Sequence, residues 1–513
     1  MKKAILLLSI LLLFIVPSLH AQAHLDTKRD RVWKMGYSGY TNDSRWLHQT
    51  FTFNDNGEFD LSTTTDTAGF AATFASICDT AGQLVCYTNG GFLYDRNNNK
   101  MRYDALNPSS FVTNLGLDGK HNYACFATIL PMPDSQHLYY VFHLRMNEPH
   151  AGPNSVEGLY YTVVDDRLRN GLGGVTQWRV PIVNQDSLEV GKLNAVRHAN
   201  GRDWWITCWH RYFKEYRLCL LDPTGVHDYG WQQIQTTAQV PNGGQSAFSP
   251  DGTKWAGTTY NYLIQQSRLD IFDFDRCTGA LTNHQQALVP ITNTFSVGLS
   301  FSPNSKNLYV SSSYAMLQYD MESSDIFNSV DTVAVNDGFI DSVDITFPVA
   351  TGFFYHYLAP NGKIYISTGS STHYLSTIDN PDVRGSNCSV QQHSILLPAY
   401  AIRTIPNFPN FRLGALQGSP CDTLYNSTTT QAKDRRIKVF PNPTNNILNI
   451  EYADYQNKQL FITDVLGRTH KTLPLQNETT NINIAHLPNG IYYLNLYEDN
   501  HCIYTTKFVV LHE

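Results

Sequence analysis

A tight turn, entered and left by apolar alternating runs, recurs at near-even spacing along this chain and restricts its fold more than any other feature. The clearest copy is Gln245-Ser246-Ala247-Phe248-Ser249-Pro250-Asp251-Gly252-Thr253-Lys254-Trp255. Proline pre-sets φ for the turn, Asp251 bonds the backbone two residues on, and glycine accepts a positive φ. Related turns stand at Asp79-Thr80-Ala81-Gly82, Pro133-Asp134-Ser135, Ala199-Asn200-Gly201, Pro303-Asn304-Ser305 and Pro360-Asn361-Gly362. With Gly82, Ser135, Gly201, Gly252, Ser305 and Gly362 as register marks, the gaps are 53, 66, 51, 53 and 57 residues. A period of about 50 residues suits one four-stranded blade of a β-propeller.

The expected fold is therefore all-β: a propeller of seven blades, with six or eight as alternatives, over 24–416. A ring of blades must close, because an open blade exposes an unpaired edge. Ile405-Pro406-Asn407-Phe408 is expected as the inner strand of a last blade. Val32–Tyr37, Gln49–Phe53 and Glu58–Leu61 would be its outer strands. Aromatic residues make up 12% of the chain and charged residues 16%, a strand-rich bias that argues against disorder or coiled coil. The net charge of −7, with no basic cluster beyond the first residues, excludes nucleic acid as a partner class.

Met1-Lys2-Lys3, the apolar run Ala4–Val16 and Ala21-Gln22-Ala23 have the layout of a signal peptide (1–23) cleaved after Ala23. Thirteen apolar residues are too few to span a bilayer comfortably, and no other stretch is apolar enough, so no transmembrane segment is expected in the mature protein. Nine cysteines in an exported chain suggest disulfides, with at least one left over. Cys78 and Cys86 are expected to face each other across one hairpin, and Cys208 and Cys219 across another. Cys277, Cys388 and Cys421 fall in predicted loops.

Apolar periodicity stops over 417–436, which reads as a linker. It resumes over 437–513 as seven short strands: Ile437–Phe440, Ile447–Tyr452, Gln459–Thr463, Thr469–Thr472, Asn481–Ile484, Gly490–Leu496 and Ile503–Val510. That layout predicts a small Ig-like sandwich. Its four blocks, Val439-Phe440-Pro441-Asn442-Pro443-Thr444, Asp464-Val465-Leu466-Gly467-Arg468, Leu487-Pro488-Asn489-Gly490-Ile491-Tyr492-Tyr493-Leu494 and Lys507-Phe508-Val509-Val510, resemble the type A sorting domain of the type IX secretion system. The motif residues are Pro441, Asn442, Pro443, Gly467, Pro488, Gly490 and Lys507. The resemblance implies a Bacteroidetes source, Sec export to the periplasm, engagement of the type IX machinery, and release or display at the cell surface. Leu358-Ala359-Pro360-Asn361-Gly362-Lys363-Ile364-Tyr365 and its counterparts resemble surface propeller modules (WD-repeat-like or YVTN-like) of the same bacteria, which carry no assigned activity. Asp66-Thr67-Ala68, Asp79-Thr80-Ala81, Asp186-Ser187-Leu188, Asp331-Thr332-Val333, Asp341-Ser342-Val343 and Asp422-Thr423-Leu424 resemble the O-glycosylation tripeptide of that group.

No catalytic signature is found. Gly-x-Ser-x-Gly and His-Glu-x-x-His are absent, and Ser249–Trp255 lacks one residue of the sialidase-type turn. Asp165-Asp166 reads as a loop, and Asp273 with Asp275 offers too few oxygens for calcium. The chain is thus expected to be no enzyme and to need no cofactor or metal, with a hydrolase of glycans or peptides as the alternative. The hairpin of Trp204, Trp205, Trp209, Tyr212, Phe213 and Tyr216 is read as inter-blade core. Only Arg211, Tyr212 and Phe213 are left at an exposed tip to bind a protein or glycan.

Overall fold

The computed structural model describes residues 26–36, 43–64, 68–108, 124–146, 156–234, 244–261, 264–292, 296–343, 348–422, 438–451, 458–464, 468–475, 477, 479–498 and 501–512. The cleavage site at Ala23 and most of the linker lie outside them. Two units separate between Gly414 and Ala415.

In the first unit the turns at Ser135, Gly201, Gly252, Ser305 and Gly362 each join the first two strands of a four-stranded antiparallel sheet, and the Gly82 turn joins Thr73–Cys78 to Leu84–Thr88. The Pro-Asp-Gly turn links Ser246–Phe248 to Lys254–Asn261, with Gln266–Phe274 and Leu281–Thr292 following outward in sequence order. Gly252 holds φ +72 there, and Asp251 accepts the Thr253 amide at 3.0 Å, as the turn chemistry requires. The same order of four strands recurs over 127–188, 194–233, 296–335 and 356–401.

The two faces of each sheet pack against different neighbours, because successive side chains of a strand point opposite ways. In Trp204–Trp209, the Trp204, Ile206 and Cys208 face joins the core shared with the 127–188 sheet. The Trp205 and Trp209 face packs on Trp255 and Phe272 of the next sheet, with Trp209 and Trp255 rings 4.6 Å apart. Leu299 and Val310 continue the succession against Ile271, and Tyr309 and Met316 against Ile364 and Ile366. A three-stranded sheet, Val32–Gly36, His48–Phe53 and Phe59–Thr64, follows: Trp33 and Phe53 meet Tyr365 at 5.6 and 5.7 Å, while Ser76 Oγ donates to Val32 O at 2.6 Å. The sheets thus succeed one another around a closed circuit, the propeller plan.

The closing strand differs from the expectation. Ile405–Pro406 does not join Val32–Gly36; it pairs in parallel with Thr73 and Phe74, inside the sheet of Thr73–Cys78, Leu84–Thr88 and Leu93–Asp95. Asn407 fixes this choice, since its main-chain N–H donates to Phe74 O and its side chain reaches Ala127 and Leu193, away from the three-stranded sheet.

The second unit contains the seven predicted strands in two sheets. Lys438–Phe440, Ile447–Glu451 and Thr479–Asn483 form one; Thr469–Pro474, Lys458–Asp464, Gly490–Glu498 and His501–Val510 form the other. Leu448, Ile450, Leu460, Ile462, Leu494 and Phe508 share the core between them.

Candidate functional site

Where the first strands of the sheets end, beside the Pro250, Pro303 and Pro360 turns, they enclose a cavity of about 350 Å³. Its wall is apolar, with Phe248, Phe301, Phe408, Leu299 and Leu358. Two chain segments border it, the N-terminal stretch around Asp30 and the 406–412 stretch. Asp30 and Arg412 are its charged lining residues, and they neutralise each other: Arg412 Nη1 and Nη2 donate to the Asp30 carboxylate at 2.7 and 2.9 Å. The border is anchored further by Arg197 to Asp26 at 2.6 Å and by Arg29 to Cys78 O at 3.1 Å.

Around the cavity, side-chain amides and hydroxyls staple one sheet to the next. Gln245 Nε2 donates to His356 O at 2.7 Å, and its Oε1 accepts from Leu299 N and His356 N at 3.1 and 3.3 Å. Asn194 Nδ2 donates to Ser246 O at 3.1 Å, while its Oδ1 accepts from Ser246 Oγ and Trp255 Nε1. Asn407 Nδ2 donates to Ala127 O at 2.9 Å and Leu193 O at 3.0 Å. Buried polar groups need such partners. Sequence reasoning singled out Gln245 and Ser246 only as part of a strand. No local pattern marks their bonds, which join residues more than 50 positions apart. Lys192 is likewise new: it is buried, donates to Thr258 O at 2.9 Å, and burial pushes its amine down to about 8.

The predicted tip is present and exposed, with Tyr212 at 69% and Phe213 at 59%. His210 organises it. Its Nδ1 accepts from both Tyr212 N and Phe213 N at 3.0 Å, its Nε2 lies 3.0 Å from Asp186, and its ring packs 4.5 Å from Phe213. The Arg211 guanidinium lies over the Tyr212 ring at 5.7 Å.

Other candidates resolve as structural. Asp273 binds Lys254 at 2.7 Å and Asn283 at 2.6 Å, and Asp275 caps the Cys277–Gly279 turn. Asp165 is held by Arg167, and Asp166 by His137 at 2.8 Å. Among the described residues no group of three or more His, Cys, Asp or Glu is placed to hold a metal ion. The expected cysteine facings are corrected: a bulge sets Cys86 opposite Ile77 and Cys78 opposite Leu84, and Cys208 and Cys219 lie opposite Arg217 and Ile206. All four are buried free thiols, whereas Cys277 and Cys421 are disulfide-bonded.

In the second unit the first and last motif blocks lock together. Asn442 Oδ1 accepts from Val509 N at 2.9 Å, Asn442 Nδ2 donates to Lys507 O at 3.3 Å, and Thr444 N donates to Val509 O at 2.9 Å. Pro441 and Pro443 flank Asn442, and Gly490 opens the strand whose Tyr492 hydroxyl returns to Pro488 O at 3.0 Å. Gly467 lies outside the described residues.

Residues 438–511 match the family of secretion system C-terminal sorting domains. No curated protein matches the chain. Among solved structures, a putative 6-phosphogluconolactonase from Bacteroides uniformis is similar at 12% identity and a TM-score of 0.42, over 72% of this chain and 98% of its own. PorZ, a surface component of the type-IX secretion system of Porphyromonas gingivalis, is similar at 11% and 0.29, over 92% and 81%. The Swd1 β-propeller domain of Myceliophteria thermophila is similar at 8% and 0.35, over 66% and 93%. The expectation that the chain is no enzyme is overturned by the lactonase-named neighbours and is withdrawn; likeness at such TM-scores assigns no activity in its place. Among the described residues no helix is long and apolar enough to cross a membrane. The chain is thus an all-β protein of the propeller plan whose residues 438–511 are a secretion system C-terminal sorting domain, a tail that directs secretion to the cell surface or beyond.

Proposed function

We infer that the protein is exported through the Sec route, carried across the outer membrane of a Bacteroidetes cell by the type IX machinery, and there recognises a protein or glycan through Arg211, Tyr212 and Phe213. The observation that carries this reading is the tip itself. Two adjacent aromatic side chains stand mostly in solvent on a hairpin whose main chain is fixed by a buried imidazole. Such rings gain contact area at little cost in ordering, and a neighbouring guanidinium adds donors. Thr80, Thr332 and Ser342 are exposed hydroxyls within the glycosylation tripeptides, which suits modification on the same route.

The test is binding of the mature chain to a glycan array and to envelope proteins. Tyr212→Ala with Phe213→Ala should weaken the bound partner at least about tenfold while the melting temperature stays unchanged. Undiminished binding would remove the tip from the reading. Separately, a chain ending at Arg436 should remain in the periplasm; its appearance in the medium would refute the sorting role of the tail.

A further inference from the structure

The cavity beside the proline turns belongs to the opposite end of the first unit's strands from the Tyr212 tip. Its chemistry is independent of that tip. The strands Ser246–Phe248, Ser296–Phe301 and His356–Leu358 run toward the proline turns at the cavity, whereas Tyr212 and Phe213 connect the second and third strands of their sheet.

Most polar groups of the lining are already spent. The Gln245 and Asn194 amides are bonded at both ends, Ser246 Oγ bonds Gly191 O and Asn194, and Ser300 Oγ bonds His356 Nδ1 at 2.7 Å. Asn410 donates to Pro250 O and accepts from Arg412 N, and Tyr357 donates to Phe408 O. Asp30 and Arg412 cancel as charges.

Asn407 is the exception. Its NH₂ group is committed to two main-chain carbonyls, which fixes the amide orientation and turns Oδ1 away from both. That oxygen accepts no hydrogen bond from a described residue, and Asn407, 9% exposed, is one of the residues that line the cavity. A poorly hydrated acceptor at an apolar wall is completed by a donor brought in from outside.

We propose that this cavity is a binding site for a small neutral molecule with an apolar ring and a hydroxyl donor, the ring against Phe248, Phe301 and Phe408 and the hydroxyl on Asn407 Oδ1. The volume of about 350 Å³ falls in the range of small-molecule pockets. An ionic ligand would meet no unpaired counter-charge and would forfeit its hydration. A hydrocarbon would leave Asn407 Oδ1 dry.

Three matched probes test this on the mature chain by calorimetric titration: phenol, toluene and benzoate. Phenol should bind, about fivefold or more tighter than toluene, the worth of one neutral hydrogen bond, and benzoate should not bind. Ala247→Leu, which fills the wall, should weaken phenol about tenfold in the folded protein. Nuclear Overhauser contacts from phenol to the Leu299 and Leu358 methyls place the ligand without relying on that variant. Toluene binding as tightly as phenol, benzoate binding, absence of phenol binding at 10-millimolar order (~10 mM, well above a fragment's expected Kd), or phenol contacts to other methyls would each overturn the proposal.

Discussion

Replacing Gln245 by leucine removes one side chain and disconnects three sheets. Gln245 is 2% exposed, and its amide satisfies the Leu299 N–H, the His356 N–H and the His356 carbonyl. Leucine keeps the volume and bonds none of them. An unsatisfied buried group costs about 1–3 kcal/mol, with the longer His356 N–H bond at the low end. The leucine's own burial returns roughly 1–2 kcal/mol. The net expectation is a loss of about 3 kcal/mol, or about 1 M in the urea midpoint at a slope of about 3 kcal/mol/M. Tryptophan fluorescence is a clean reporter, because all 8 tryptophans precede residue 256 and the sorting domain has none. Gln391→Leu, on the surface, is the control and should shift stability by no more than about 0.5 kcal/mol. A Gln245→Leu shift below about 0.3 M would show that the staples between sheets contribute little and that apolar packing alone holds the circuit closed.

Three further perturbations probe the same structure. Gly298→Ala places a Cβ against Phe354 O and Ser311 Oγ, and 2.6 Å from His356 Cδ2, so urea unfolding should show a loss of about 2 kcal/mol or more. Burial pushes His143 and His356 down to about 3, below the ordinary 6.5, so the unfolded chain takes up their protons first. Stability that is full above pH 6.5 should fall as pH drops toward 3, by about 2 kcal/mol per histidine at pH 5. His143→Phe, which removes the buried imidazole, should flatten the melting-temperature profile between pH 7 and 4; an unchanged slope would refute this origin. Burial raises the thiols of Cys78 and Cys208 to about 12 and also raises those of Cys86 and Cys219, so iodoacetamide at pH 8 should label none of the four before unfolding. Native labelling at any of them, read by peptide mapping, would contradict their placement in the core.

Local chemistry was legible in the chain itself. The Pro-Asp-Gly turn, the alternation that sends Trp204 and Trp205 to different neighbours, the exposed Tyr212 and Phe213, and the seven strands of the sorting domain follow from turn propensity and side-chain alternation, which act within a few residues. What depended on distant pairing did not follow. Ile405–Pro406 could have extended either terminal sheet, and Asn407 decided it through partners at Ala127 and Leu193, more than 200 residues away. One bulge in Thr73–Cys78 moved Cys86 off Cys78. The cavity is of the same kind: Phe248, Phe301 and Phe408 come from separate parts of the chain and have no common motif. Only closure of the circuit sets them around Asn407, because a site assembled from many strand ends exists in three dimensions and leaves no periodic trace along one.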